Sequence, residues 1–431
     1  MPNQDENSHY ITPEQLCIGL YVHLDLSWMD HPFTFSSFKI KNQEQIETIR
    51  RLGLEKIRYS PARSDSAPQP RHSQLQVGNI QSEPEPEPEP EVSAQDMAHL
   101  EAKRQRIARL NARRAAIDSC EKDFLSAAQV AKGLDRAIFS RPREAAEAGA
   151  RMVERMVDSL MTDKDIAIHL MNDRAGGEEV YYHSLNVAVL ALMLAKELGL
   201  SAEEIRMLGT AALFHDVGKA EIPDRILLKT EALNRAEQTL YEQHCQWSVD
   251  AARKAGLSAD IQAIIGQHHE FCDGSGYPSK LKLQAIHPLA RILALVNHFD
   301  TLCNRAIPAD SHTPHEALAL IFAQQRSKFD PLPLNTFIRC MGVYPPGSIV
   351  MLSNETYGIV VSVNSSRPLK PQVLVHVPGG RPEDAPIIDL EEETDLNISK
   401  SLKAAQLPRE AMESLSPRKR LTYFFAPKDN D

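Results

Sequence analysis

Five predicted helices between residues 178 and 305 each carry an imidazole, carboxylate or amide group on an otherwise apolar face. This pattern constrains the fold most, because burying a polar group without a partner costs about 2–7 kcal/mol. In the first helix, Glu179 and His183 are four residues apart and therefore share a face. That face continues through Val187, Leu190 and Leu194. The region predicts a helical bundle around a polar centre.

Helix-start signals order the other four helices. Ser201 with Glu204 and Asn234 with Glu237 have the spacing of a capping box, while Ser258 and Pro288 precede or begin the last two helices. The polar groups are His215 and Asp216 at the end of the second helix, His244 on the third, His268 and His269 at the end of the fourth, and Arg291, Asn297 and Asp300 on the fifth.

A cluster of two or three divalent cations would offset the burial of these groups, since neutral imidazole and carboxylate are natural metal ligands. No cysteine falls in the pattern, which argues against a structural cysteine-rich zinc site. Nitrogen and oxygen ligands suit iron or manganese, with zinc and nickel as alternatives. Neighbouring metals would activate a shared hydroxide for attack on phosphorus.

The motif formed by His183, His215-Asp216-x-x-Lys219, His244, His268-His269 and Asp273-Gly-Ser-Gly-Tyr-Pro278 resembles the HD-GYP phosphodiesterases. They are a bacterial subgroup of the HD metal-dependent phosphohydrolases. The stretches ALFHDVGKAEIP, ILLKTEALNRAEQ and HHEFCDGSGYP extend the resemblance over residues 165–305. The N-terminal block resembles an uncharacterised domain that often precedes HD-GYP domains, and the strand-rich tail after Gly342 resembles the segment that follows many of them.

The resemblance implies hydrolysis of cyclic di-GMP to linear pGpG, GMP or both. The implied metal ligands are Glu179, His183, His215, Asp216, His244, His268, His269 and Asn297. His215, Asp216 and Lys219 are the implied catalytic residues, with the Lys219 ammonium holding a phosphate oxygen. The implied substrate contacts are Lys219, Asp273, Gly274, Gly276, Tyr277, Pro278 and Arg305. A plain surface turn is the alternative interpretation of GSGYP.

The sequence departs from the family pattern at three places. Asn297 stands where the family has a metal-binding aspartate, so the site loses a charge there; His298 could compensate in part, although it points about 100° away on a helix. Arg305 is out of register with a basic segment that holds substrate phosphates. Lys280 replaces a glycine common after GYP. Two alternatives to a cyclic di-GMP phosphodiesterase therefore stay open. One is a cyclic-dinucleotide receptor without turnover, and the other is an HD hydrolase of another cyclic dinucleotide.

The predicted fold class is mainly α: an HD-type helical bundle with a small N-terminal α+β domain and a small C-terminal β appendage. The predicted segments are the N-terminal domain (1–60), a disordered Pro/Glu linker (61–96), a helical connector (97–164), the HD-GYP catalytic domain (165–310) and a C-terminal helical and β-strand extension (311–431). Heptad-like positions Leu100, Ile107, Leu110, Ile117 and Phe124 allow either packing within the domain or a homodimer contact. The last forty residues are polar, and we expect them to be loosely held.

The composition and charge of the chain exclude some classes of binding partner and indicate its compartment. The net charge of -10 argues against a nucleic-acid polymer. Six cysteines without a C-x-x-C pair are typical of a reducing compartment. The apolar run VAVLALMLA ends at Lys196, short of the roughly 20 residues of a membrane span, and the polar N-terminus is no signal peptide. We therefore expect a cytoplasmic protein that does not bind a membrane. The family resemblance implies cyclic di-GMP as its ligand and signalling proteins as further partners.

Overall fold

The structure is a computed structural model of the chain. It describes residues 9–26, 31, 33, 37–70, 120, 122–134, 136–162, 167–170, 179–305, 307, 310–364, 367, 369–378, 385–393, 395–415 and 421–425. Most of the predicted Pro/Glu linker and four of the five heptad positions, Leu100, Ile107, Leu110 and Ile117, lie outside these residues. The chain divides into two compact units, residues 1–111 and 112–431.

The first unit is a four-stranded antiparallel sheet with one helix. Its strands are β1 (His9–Ile11), β2 (Tyr21–His23), β3 (Ser37–Lys39) and β4 (Ile57–Tyr59), in the order β1-β4-β2-β3, and its helix is α1 (Gln43–Arg51). The Asn42 side chain caps α1 by accepting from the Gln45 amide, and Gly53 follows its end at φ 68°. Ile46 and Ile49 pack α1 on the sheet. The sheet and the helix confirm the small N-terminal α+β part of the predicted fold class.

The second unit is mainly helical. Residues 122–134 and 136–140 are helical. They are followed by α2 (Pro142–Thr162), α3 (Glu179–Glu197), α4 (Ala202–Phe214), α5 (Asp224–Leu227), α6 (Arg235–Glu242), α7 (His244–Lys254), α8 (Ala259–Gly266), α9 (Pro288–Cys303), α10 (Pro314–Gln324), α11 (Pro331–Met341) and α12 (Arg409–Leu415). The predicted capping boxes at Ser201 and Asn234 are both present. One prediction was wrong: His244 does not end the helix capped by Asn234 but begins α7, because α6 ends at Glu242.

Helix α3 is the centre of this unit. Every residue from Ser184 to Ala195 is buried, so the helix is apolar around most of its circumference rather than along one stripe, as a helix enclosed by others must be. It packs against α4, α9 and α11. Because His183 lies one residue before this buried run, its side chain is held at the edge of the core.

A seven-stranded antiparallel sheet completes the second unit. Its strands are β5 (Ala167–Leu170), β6 (Ile349–Leu352), β7 (Tyr357–Asn364), β8 (Gln372–Val375), β9 (Ile387–Asp389), β10 (Ile398–Leu402) and β11 (Tyr423–Phe425). The path runs β10-β6-β7-β5-β11, with β8 on β7 and β9 on β8. The mainly α class with small β parts at both ends is confirmed, but the sheet also takes a strand, β5, from between α2 and α3.

The end of the chain is packed more tightly than expected. Strand β11 pairs with β5, and its Tyr423 side chain is 0% exposed. Ala411 and Leu415 of α12 are buried in the same core. The expectation of a loosely held C-terminus is therefore wrong for the described residues 398–415 and 421–425. Among the helices that the structure describes, none combines the length and the apolar character needed to cross a membrane.

Candidate metal centre

The Asp216 carboxylate lies at the middle of a group of imidazoles. Asp216 follows α4 directly and is 3% exposed. Its Oδ2 is 3.4 Å from His183 Nε2 and 3.3 Å from His215 Nε2, and its Oδ1 is 3.4 Å from His244 Nε2 and 3.6 Å from His268 Nε2. Residues from α3, α4, α7 and the end of α8 thus converge on one carboxylate, as the sequence predicts.

The ligand-capable atoms form two sets that share Asp216. The first, the His183 set, consists of His183, His215 and Asp216. The second, the His244 set, consists of Asp216, His244, His268 and His269. Within each set the atoms all lie within 4.8 Å of one another. Asp216 has one oxygen toward each set and would therefore contribute a ligand to both sets if each held a metal ion.

Three of the imidazoles are oriented by a backbone carbonyl three residues earlier in the chain. His215 Nδ1 is 2.8 Å from Ala212 O, and His244 Nδ1 is 2.6 Å from Tyr241 O. His268 Nδ1 is 2.5 Å from Ile265 O. Because a carbonyl oxygen only accepts, each Nδ1 must donate, and Nε2 of the neutral ring presents its lone pair to the centre. Metal-binding histidines in proteins are held in this way.

Several buried polar atoms at the centre lack hydrogen-bond partners. They are His215 Nε2, Asp216 Oδ1 and His269 Nε2. In addition, His244 Nε2 and His268 Nε2 lie 3.3 Å apart, although both rings use their proton at Nδ1. Two lone pairs that face each other beside an unpaired carboxylate oxygen are unfavourable in a buried site. Divalent cations would satisfy all of these atoms, so the residues present fit a metal centre.

The protonation states agree with this fit. Burial lowers the pKa of His215 to about 4 and that of His244 to about 3, although Asp216 opposes both shifts. Burial raises the pKa of Asp216, but His215 and Lys219 outweigh it and hold that pKa well below its usual range. Burial also lowers the pKa of His183, yet Asp216 and Asp300 outweigh it and raise the value to about 9. At neutral pH, Asp216 is therefore ionised and His215 and His244 are neutral, as a cation requires, whereas His183 is protonated in the metal-free protein and would lose a proton when a metal binds.

Lys219 is the cation of the centre. Its Nζ lies 2.5 Å from Asp216 Oδ2 and 5.9 Å from the centroid of the Tyr241 ring. Its side chain keeps 20% exposure. The ammonium group is therefore anchored beside the carboxylate, on a side chain that stays partly exposed.

The glycine-rich turn packs directly on the histidine pair. Tyr277 stacks on His269 with ring centroids 4.5 Å apart, and a Cβ on Gly276 would lie 2.4 Å from His269 O and from Phe271 N. Glu270, which is 1% exposed, accepts from the amides of Ser279 and Leu281 at 2.6 and 2.8 Å. Glu270 is a residue that the sequence analysis missed, and its only signal is an acid placed directly after two histidines.

The remaining residues of this turn shape its backbone. The exposed Asp273 accepts from the Ser275 amide at 2.9 Å and so closes the turn on itself. Gly274 adopts φ 81°, and the Tyr277–Pro278 bond is cis. Lys280 has φ 55°, a conformation that favours glycine, so a lysine here keeps the backbone that the family's glycine would supply.

The residues that depart from the family pattern differ in how far they are buried. Asn297 is 2% exposed on α9. His298 does not compensate for it, because its Nε2 binds Gln325 Oε1 at 2.7 Å and its ring contacts Phe271. Arg305 is exposed beyond the end of α9. Glu179 is the first residue of α3, and its side chain lies outside the described part of the chain.

Three family models match the chain. Residues 150–332 match a model described as HD domain, residues 9–148 match a domain of unknown function (DUF3391), and residues 349–410 match a KOW domain associated with HD domain. The N-terminal match covers the predicted linker (61–96) and ends at residue 148, within the predicted connector (97–164). The resemblances at both ends of the chain are confirmed.

Curated relatives include several phosphodiesterases. A cyclic di-GMP phosphodiesterase of Pseudomonas aeruginosa is 27% identical over 368 residues, which are 84% of this chain and 83% of that protein. The cyclic di-GMP phosphodiesterase response regulator RpfG of Xanthomonas campestris is 34% identical over 38% of this chain and 44% of its own. A 3'3'-cGAMP-specific phosphodiesterase of Vibrio cholerae is 33% identical over 42% and 35%, respectively. The chain thus spans most of the first relative but less than half of the next two.

Among solved structures, an HDG"Y"P protein from Bdellovibrio bacteriovorus is similar over 77% of this chain and 98% of its own, with 14% identity and a TM-score of 0.40. At this level of similarity the comparison adds nothing to the assignment of individual residues.

Proposed function

Because residues 150–332 belong to the HD domain family, we propose that this chain is a metal-dependent phosphodiesterase that hydrolyses cyclic di-GMP to linear pGpG, GMP or both. The observation that carries the proposal is the pair of ligand sets joined by Asp216. The relative that matches over most of both chains carries the same activity in its name. A two-site centre is the arrangement that phosphoester hydrolysis uses, because it stabilises both the attacking and the leaving oxygen.

His183, His215, Asp216, His244, His268 and His269 would hold two divalent metal ions, for which iron or manganese is the best match to nitrogen and oxygen ligands. Bound there, such ions lower the pKa of water and polarise phosphoryl oxygens. Asp216 keeps the two sets at a fixed separation through one side chain. Glu179, four residues before His183 on α3, is proposed to hold a third ion, and Asn297 is proposed to contribute its amide oxygen to the centre.

Lys219 is proposed to bind a non-bridging phosphate oxygen. Its ammonium group is 2.5 Å from Asp216, on a side chain that stays partly exposed, so an incoming phosphate would meet a cation that is already positioned. Such fixed charges act where negative charge develops in the transition state. The turn formed by Asp273, Gly274, Gly276, Tyr277 and Pro278 would bring its backbone close to the same phosphates, with Arg305 at the outer edge.

Two observations support alternatives. Relatives specific for 3'3'-cGAMP support a hydrolase of another cyclic dinucleotide. The neutral Asn297 and the exposed Arg305 support a receptor that binds a cyclic dinucleotide without turnover. We further propose a cytoplasmic protein that passes its signal to protein partners and dimerises through the connector 97–164.

The test is purification without oxygen, followed by metal analysis and by chromatography of cyclic di-GMP and 3'3'-cGAMP reactions in separate tubes. We expect about two or three metal ions per chain and conversion of cyclic di-GMP in preference to 3'3'-cGAMP. Preferential conversion of 3'3'-cGAMP would favour the second hydrolase. Tight binding of either nucleotide without conversion under iron, manganese and nickel would establish the receptor instead.

A further inference from the structure

His183 is oriented differently from the other imidazoles of the centre. Its Nδ1 does not bind a carbonyl of its own helix but lies 2.6 Å from Asp300 Oδ2 on α9. Asp300 is 0% exposed. A buried carboxylate at this distance fixes both the tautomer and the direction of the ring, so that Nε2 of His183 faces Asp216.

Two asparagines hold the other oxygen of that carboxylate. Asp300 Oδ1 accepts from Asn186 Nδ2 at 3.0 Å and from Asn304 Nδ2 at 2.9 Å. One donor comes from α3 and the other from the residue that follows α9. Asp300 is thereby satisfied at both oxygens, which a buried charge requires, and it cannot turn away from His183 without losing several bonds.

The same asparagines also bind the C-terminal segment. Asn186 donates to Leu421 O at 2.8 Å and accepts from Tyr423 N at 2.9 Å. Asn304 donates to Leu421 O at 3.0 Å and accepts from Leu421 N at 2.8 Å. Residues 421–423 therefore use backbone groups to align the two amides that align Asp300.

We infer that Asp300 is a positioning residue for His183, and that residues 421–423 complete the support of the metal centre through Asn186 and Asn304. The inference rests on the proposed metal centre but assigns roles to residues outside its ligands. The geometry also explains why Tyr423 and Phe424 of β11 are buried. The strand pairs with β5 in the sheet, and its backbone takes part in the hydrogen-bond network around Asp300.

The test compares three variants by titration of the metal-free protein with Co²⁺, whose visible absorption reports the ligand geometry. Asp300→Asn keeps the shape but removes the charge, and Asn304→Ala removes one of the two amides. Phe424→Ala is the matched control, because Phe424 is buried on the same strand but packs against Phe124. Thermal unfolding of each variant is measured in parallel.

We expect Asp300→Asn to weaken Co²⁺ binding in the His183 set by about 10–100-fold and to change the absorption band of that ion. Asn304→Ala should weaken it by about 10-fold, whereas Phe424→Ala should lower the melting temperature and leave both affinity and band unchanged. If Asn304→Ala and Asp300→Asn keep the wild-type affinity and band, the inference is wrong. It is equally wrong if Phe424→Ala loses as much affinity as they do. Failure of the wild-type protein to bind Co²⁺ would instead overturn the proposed metal centre.

Discussion

The imidazoles of the centre are held in two ways. His215, His244 and His268 each donate to a backbone carbonyl three residues earlier in the chain. His183 depends on Asp300, 117 residues away, and through it on the C-terminal strand. Local anchoring forms as soon as a helical turn forms, whereas the support of His183 exists only when α3, α9 and β11 have assembled. The two ligand sets therefore differ in what they require of the rest of the fold.

Asp216 belongs to both sets, so its removal should have the largest effect. We expect Asp216→Ala to lose about two metal ions and His215→Ala to lose about one. The reason is that Asp216 belongs to both sets, whereas His215 belongs to the His183 set alone. Hydrolysis should fall by roughly three orders of magnitude or more in both variants, since both sites must be filled. Metal analysis and chromatography of the product measure the two effects.

His376→Ala is the control for these variants, because His376 is also buried but lies beyond β8, outside the centre. It should keep its metals and its activity. Full metal occupancy and normal turnover in His215→Ala would contradict the assignment of both sets.

A substitution of Lys219 tests whether this residue acts on the substrate or supports the metal ligands. We expect Lys219→Ala to reduce turnover by about 100-fold while the metal ions stay bound, because an ammonium group has no lone pair and cannot be a metal ligand. Lys229→Ala is the matched control. Lys229 Nζ lies 2.6 Å from Glu237 Oε2, and neither residue belongs to the metal centre. Loss of metal in Lys219→Ala would mean that the lysine supports the ligands and not the substrate.

The imidazoles and the carboxylate of the centre could be predicted from sequence, but the network that supports His183 could not. The capping box at Ser201, the helix start at Ser258 and the apolar periodicity of the two helices placed His215 and His268 at helix ends. The Asn186–Asp300–Asn304 network joins residues whose sequence separations carry no periodic signal. The break before His244 was missed for a similar reason, because no glycine or proline marks it.

His269 is an intermediate case, because its Nε2 lacks a hydrogen-bond partner and its ring is held by the turn that carries Tyr277. We expect Gly276→Ala to lower the free energy of unfolding by about 1–3 kcal/mol, since the new Cβ would collide with the backbone of His269 and Phe271. Metal affinity of the His244 set should fall as the turn is displaced. Chemical denaturation and Co²⁺ titration measure the two effects.

Gly133→Ala is the control for this substitution, because nothing lies within 4 Å of a Cβ at that helical position. It should stabilise the protein by up to about 1 kcal/mol. Equal stability of Gly276→Ala and Gly133→Ala would show that the turn is not packed on the histidine pair.

Asn297→Asp should have the smallest effect, and it concerns the helix that also supports His183. The substitution restores the carboxylate of the family pattern three residues before Asp300, at a position that is 2% exposed. A second negative charge beside cations in a buried site strengthens their binding, so we expect metal retention to rise a few-fold and hydrolysis to rise or stay constant. Without metal, the same charge would lie in a buried site three residues before Asp300 on the same helix, and the metal-free variant should therefore be less stable than the metal-free wild type. Comparing melting temperatures with and without metal separates the two contributions. The opposite outcome is a wild type that already holds its metals tightly and an Asn297→Asp variant with slower turnover. In that case the amide is an adaptation that limits the charge of the centre. The His183 set would then depend on the neutral Asn297 as much as on the charged Asp300.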